Sequence, residues 1–152
     1  MKLITRMMAL LSFLIMVQYA NAASNSIYVD QIGDGSTVNI TQTGNSNAVG
    51  SANSKATFNG NNNTVTVEQI GNSNIANLNV QGAGNTISSQ VTGNSNNVEI
   101  NCGAGSGGCS GSTITNTITG DGNSVTQNSD GTTTSTVTID SNNNVVWKNI
   151  PS

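Results

Sequence analysis

The chain has 152 residues, 7% of them charged and 3% aromatic, with a formal net charge of −3. Beyond the first 22 residues two cations, Lys55 and Lys148, face the seven carboxylates Asp30, Asp34, Glu68, Glu99, Asp121, Asp130 and Asp140, a balance that argues against nucleic acid or an anionic membrane surface as partner. The few large apolar side chains exclude a thick globular core, while scarce charge and a single proline argue against disorder.

In chain order, Lys2 and Arg6 precede an apolar run from Met7 to Val17 and then Ala20-Asn21-Ala22, the three parts of a secretory signal peptide. That run is too short to span a bilayer. Residues 1–22 therefore read as a removable leader, after which no bilayer-spanning segment remains. Residues 23–150 read as one repeat domain, with 151–152 as a tail.

The domain is punctuated by glycines at Gly33, Gly44, Gly60, Gly71, Gly82, Gly93 and Gly120, many of them eleven residues apart. Each opens a short polar tetrad such as Gly71-Asn72-Ser73-Asn74, and Gly and Asn both tolerate left-handed backbone angles, so the tetrads read as turns. Behind each turn the residues alternate with period two, the signature of a strand with one buried face. The inward positions collect Val38, Ile40, Val49, Phe58, Val65, Val67, Ala76, Leu78, Ile87, Val98 and Ile100, and also Ser51, Ser89 and Gln127.

A strand of about seven residues is roughly 23 Å long and cannot close a sheet alone. Two such units pair into a coil, and stacked coils give two parallel sheets across a thin interior. The expected fold is thus all-β, a two-layered parallel β-solenoid of roughly five coils of about 22 residues. The same parity turns Gln31, Gln42, Asn47, Asn63, Gln69, Asn74, Asn85, Asn96 and Asn123 inward. An unpaired buried amide costs about 1–3 kcal/mol, a cost that stacking each amide on its counterpart one coil away removes.

Five extra residues around Asn53-Ser54-Lys55 and a longer insertion at about 101–117 interrupt the period, and both read as excursions at coil corners. The second holds Cys102 and Cys109 around Gly-Ala-Gly-Ser-Gly-Gly, which in an exported chain reads as a local disulfide loop.

Chemistry finds little purchase. A polysaccharide-cleaving β-helix needs clustered acids beside a base, whereas this chain beyond its leader has neither His nor Arg and its carboxylates are scattered. Asp34 and Asp121 sit beside turn glycines and read as turn residues, since the calcium nonapeptide repeat has period nine with a regular Asp. An ice-binding face would need aligned Thr-x-Thr pairs, but Thr64 and Thr66 are followed by Ile75 and Asn77 one unit on. The expectation is a structural protein with no metal and no cofactor, not an enzyme.

A solenoid ends in two open strand edges, which most proteins cover. Ile27-Tyr28-Val29 leaves the N-terminal edge apolar, while Lys148 and Pro151 could blunt the other. Gln69-Ile70-Gly71-Asn72-Ser73-Asn74-Ile75-Ala76 resembles the core pattern of the curlin family, the subunits of bacterial curli fibres. Gln42-Thr43-Gly44-Asn45-Ser46-Asn47 matches that pattern up to Val49, and Gln31-Ile32-Gly33 matches its first half. The likeness covers residues 27–100 best. It implies a secreted homopolymer, growth into extracellular amyloid for adhesion and biofilm, a nucleator subunit and a curli-type outer-membrane pore as partners, with the inward Gln and Asn as stacking ladders. The rival expectation is a non-polymerising solenoid adhesin or virus-associated spike, whose irregular C-terminal part and Trp147 stop growth.

Overall fold

The computed structural model describes residues 14–17, 24–103 and 108–150. Its first coil carries β2 (Ser26–Ile27) and β3 (Val29–Ile32) on one sheet and β4 (Thr37–Thr43) on the other. The second coil follows with β5 (Ala48–Val49), β6 (Ala56–Asn59) and β7 (Thr64–Ile70), and the third with β8 (Ile75–Gln81) and β9 (Thr86–Thr92). Next come β10 (Asn97–Cys102) and β11 (Thr113–Thr119), then β12 (Ser124–Ser129) and β13 (Thr134–Asp140). A last half-coil, β14 (Val145–Ile150), closes the described chain.

Every ladder is parallel. One sheet runs β4-β7-β9-β11-β13 and the other runs from β2 and β3 through β5 and β6 to β8-β10-β12-β14. This is the expected two-layered β-solenoid, and all eleven aliphatic and aromatic positions assigned to its interior are at most 2% exposed. Registers put like on like, as in Val38↔Val65 and Val65↔Ile87. Ile114, Ile118, Val125, Val137 and Ile139 extend the core into coils where the repeat is harder to read.

Close stacking explains the glycines. Gly44, Gly71, Gly93 and Gly120 all have φ between 108° and 130°, and a Cβ on any of the first three would run into the carbonyl of the next in the row. Any side chain there would force adjacent coils apart as well as strain the backbone.

Three readings need correction. The Ser51–Lys55 segment does not lie at a corner: it bulges from mid-strand, between β5 and β6. Gly50 turns the chain outward at φ 66°, Ser51 N donates to Ser54 O at 2.7 Å, and Ala56 N rejoins the ladder on Tyr28 O at 2.9 Å. Ser51 is consequently exposed and Ala56 takes the inward place. The second insertion is smaller than 101–117, because β10 runs through Cys102 and β11 resumes in register with β9, Thr113 on Thr86. Cys109 substitutes for a turn glycine, its carbonyl accepting Asn85 Nδ2 at 2.7 Å as the Gly82 carbonyl accepts Asn63 Nδ2 at 2.9 Å. The disulfide joins Cys102 to Cys109 across a Cα–Cα distance of 5.5 Å, with both residues buried. So small a ring stabilises by about 2.5 kcal/mol on chain-entropy arithmetic, and locally.

The segment Leu14–Val17, read as part of the leader, forms strand β1, parallel to β4 with Leu14 opposite Thr37. The other residues read as a leader, and Pro151, lie outside the described residues.

Along the middle of the interior, the row Ile40, Val67, Ser89, Asn116, Val137 changes from apolar to polar after the second coil. Ser89 Oγ and both side-chain polar atoms of Asn116 are buried without a hydrogen-bond partner. Replacing Asn116 by Val removes two unpaired groups and restores the aliphatic character of the row, so the variant is expected to be more stable by about 1–3 kcal/mol. A rise in the urea midpoint of the soluble chain, at unchanged m-value, is the check.

Candidate functional site

The amides that the sequence turns inward form two ladders, one at each edge of the flattened coil. The longer contains Asn25, Asn47, Asn74, Asn96, Asn123 and Asn144. Asn74 shows the geometry: its backbone N and Nδ2 donate to Asn47 Oδ1 at 3.0 and 3.1 Å, and Nδ2 also reaches Gly93 O at 2.7 Å. Its own Oδ1 accepts from Asn96 N and Nδ2 at 3.1 and 3.0 Å. Asn123 on Asn96 and Asn144 on Asn123 repeat the pattern at 2.9–3.0 Å.

The shorter ladder runs Ser36, Asn63, Asn85, Ser112, Thr133. Asn63 N donates to Ser36 Oγ at 3.1 Å, Asn85 N and Nδ2 to Asn63 Oδ1 at 3.0 Å, Ser112 N to Asn85 Oδ1 at 3.0 Å and Thr133 N to Ser112 Oγ at 3.1 Å. A hydroxyl replaces the amide where the repeat degenerates. Because Ser36, Ser112 and Thr133 break the Asn pattern, residue type conceals them, while spacing from Asn63 and Asn85 reveals them. Asn25 and Asn144 are likewise found by counting one coil outward from Asn47 and Asn123.

Gln42 and Gln69 stack as expected, Gln42 Nε2 donating to Gln69 Oε1 at 2.8 Å, and Gln69 Nε2 turns to Ala48 O at 3.1 Å. Gln31 does not join them. It pairs in register with Phe58 on the opposite sheet, and its Oε1 is buried without a partner. The physical reason is topological: Gln31 and Gln42 occupy facing strands of one coil, so their rows never meet by translation.

A third ladder, on the exposed outer side of the turns, was not legible as such. Asn45 N donates to Asn72 Oδ1 at 2.9 Å, Asn72 N to Asn94 Oδ1 at 2.9 Å, Asn94 N to Asp121 Oδ1 at 2.6 Å and Asp121 N to Asn142 Oδ1 at 2.8 Å. Asp121 thus supplies the acceptor that Asn supplies elsewhere, which is a turn role. Beside the Ser51–Lys55 bulge lies an open polar depression of about 580 Å³ lined by Asp30, Lys55, Asn77, Asn79, Glu99 and Asn101.

Both inner ladders have one sense: each side-chain oxygen accepts from the rung that follows it, so the steps from rung to rung onto these oxygens all point toward the N-terminal face. At that face Asn25 Nδ2 is buried without a partner. At the other, among the described residues, nothing donates to Asn144 Oδ1. The C-terminal face also carries a charge. Lys148 follows Gln127 in an interior row, and its Nζ crosses to the Thr136 carbonyl of β13 at 3.0 Å. Val145 and Trp147 are widely exposed on the outer side of β14.

No family model matches the chain, and no curated protein and no solved structure matches it. Among the described residues, no helix is long and apolar enough to cross a membrane.

The ladders rank the amides. Asn74→Leu strands Gly93 O and the Asn96 backbone N–H, and is expected to cost about 2–5 kcal/mol. Gln69→Leu strands Ala48 O while Gln42 Nε2 keeps Ser26 O, so its cost is expected to be about half as large. Urea unfolding of the two soluble variants, measured side by side, checks the order.

Proposed function

We propose that this protein is a secreted structural subunit that stacks end to end into curli-like extracellular fibres, serving adhesion and a biofilm matrix. The observation that carries this reading is the pair of inner ladders, which run through the solenoid with one sense and stop at its two faces with a buried donor unused on one side and an acceptor unused on the other. A strand edge with such groups open is a template for another strand. Identical rungs stacked in register are also the arrangement that gives cross-β fibres their stability. The resemblance of residues 27–100 to curlin repeats points the same way, and would bring with it a nucleator subunit and a dedicated outer-membrane pore.

A second reading has one observation in its favour. Lys148 is an inward-pointing charge on the last strand, a device by which sheet proteins discourage edge-to-edge growth. A capped, non-polymerising adhesin or spike would use it in that way.

Two experiments separate these readings. Purified residues 23–152 are expected to polymerise after a lag that preformed seeds abolish, giving an amyloid-dye signal and a meridional reflection near 4.8 Å. A chain that stays soluble and dye-negative under the same conditions leaves the adhesin standing. Lys148→Val removes the charge from the C-terminal face and frees the Thr136 carbonyl, so it is expected to shorten the lag several-fold. An unchanged lag would assign Lys148 no part in restraining growth.

A further inference from the structure

The number of half-coils sets how a second copy must be placed. After residue 24, the sheet that begins with β2 and β3 has six rungs, because β2 and β3 share one and β5 and β6 share another, while the facing sheet has the five rungs β4, β7, β9, β11 and β13. The described residues after 24 therefore form eleven half-coils, an odd number, of which the first and last lie on the same sheet.

A second copy related by translation alone would lay its β2–β3 on β14. On the facing sheet β13 and the new β4 would then lie two rungs apart with no strand between them. That gap would leave two full edges of N–H and C=O groups unpaired inside the fibre, a loss that no other contact on these faces offsets.

Turning the second copy by half a turn about the solenoid axis removes the gap. Its β2–β3 then continues the sheet that ended at β13, and its β4 continues the sheet that ended at β14. Counting from the turns, Asn25 falls on Thr133 and Ser36 on Asn144, so the ladder openings Asn25 Nδ2 and Asn144 Oδ1 each meet the next member of a ladder. The registers that follow set Thr37 on Val145, Val38 on Val146, Asn39 on Trp147 and Ile40 on Lys148.

The structure already holds a stand-in for this contact. Strand β1 lies on β4 with Leu14 opposite Thr37, Ile15 opposite Val38, Met16 opposite Asn39 and Val17 opposite Ile40. Those are the positions that Val145, Val146, Trp147 and Lys148 of another copy take. The leader strand thus occupies the edge that leader removal opens.

We infer that the fibre has two-fold screw symmetry, each copy turned by about half a revolution relative to the last, with β14 of one copy paired on β4 of the next. This rests on the self-stacking reading above and specifies its geometry.

The test is the helical symmetry of fibres grown from residues 23–152, which contain all eleven half-coils, imaged by electron cryo-microscopy. The screw predicts a subunit rise of five and a half rungs, roughly 26 Å, with a twist near 180°. Direct stacking gives six rungs, about 29 Å, with a twist near zero, and would overturn the inference while leaving self-assembly intact. Failure to form fibres would overturn both.

Cross-linking gives an independent readout, because the native cysteines are tied in their disulfide. In fibres of an Asn39→Cys, Trp147→Cys chain, a short thiol-reactive cross-linker is expected to produce a ladder of covalent multimers. A Tyr28→Cys, Trp147→Cys chain is expected to give few. The reverse result would establish translation in place of the screw.

Discussion

The interaction on which the rest depends is the buried side-chain amide that bonds the rung before and the rung after it. An Asn inside a thin two-layered interior has too little surrounding structure to find irregular partners. Translation by one rung supplies them without further design: the neighbour's Oδ1 for its donors, and the neighbour's turn carbonyl for its second N–H. Asn74 and Asn96 satisfy themselves in this way. The consequence is strict register, because a slip of one residue would turn every amide outward and every Thr inward.

Strict register in turn dictates the turns. The amide reaches the turn carbonyl of the next coil because the glycine that opens its own turn has no side chain to hold the coils apart. The left-handed residues of each tetrad, Ser46, Ser73 and Ser95 among them, keep the chain in a tight corner. Insertions are admitted where they leave this contact untouched. The Ser51–Lys55 bulge leaves the sheet from mid-strand, and the disulfide loop returns through Cys109, which offers its carbonyl as a glycine would. Both add five residues to one coil, so Thr37 meets Thr64 and Thr86 meets Thr113 at separations of 27 rather than 22.

Order in the interior is uneven along the axis. The first coils combine Val, Ile and Phe with Gln31, Gln42 and Gln69, while later ones hold Ser89, Asn116, Gln127 and Ser129 with polar atoms unsatisfied. The C-terminal end combines an inward lysine with an exposed Trp147, whereas the N-terminal end leaves the buried amide groups of Asn25 and Gln31 open. The two ends are chemically unlike, which is what a polar, one-directional assembly requires. On the sheet that ends in β14, the row Leu78, Ile100, Gln127, Lys148 turns polar toward the C-terminal face.

The sequence by itself determined the strand period, the turns, the inward aliphatics and the amide positions, because each is a local property: alternation sets the face, and Gly or Asn sets the corner. It also carried the cysteine pairing, since the two residues are close in sequence. What only the tertiary structure decided was partnership across coils. Gln31 looked like Gln42 and Gln69 in sequence yet faces Phe58, since the row a residue joins depends on which sheet its strand enters. Ser112 and Thr133 proved to be ladder members despite lacking an amide, and Cys109 a turn residue despite not being glycine, because stacking selects for position and a hydroxyl or carbonyl in the right place suffices. The count of half-coils, on which the proposed symmetry of assembly rests, likewise emerges only when strands are assigned to sheets, for parity is a property of the whole winding and of no single repeat.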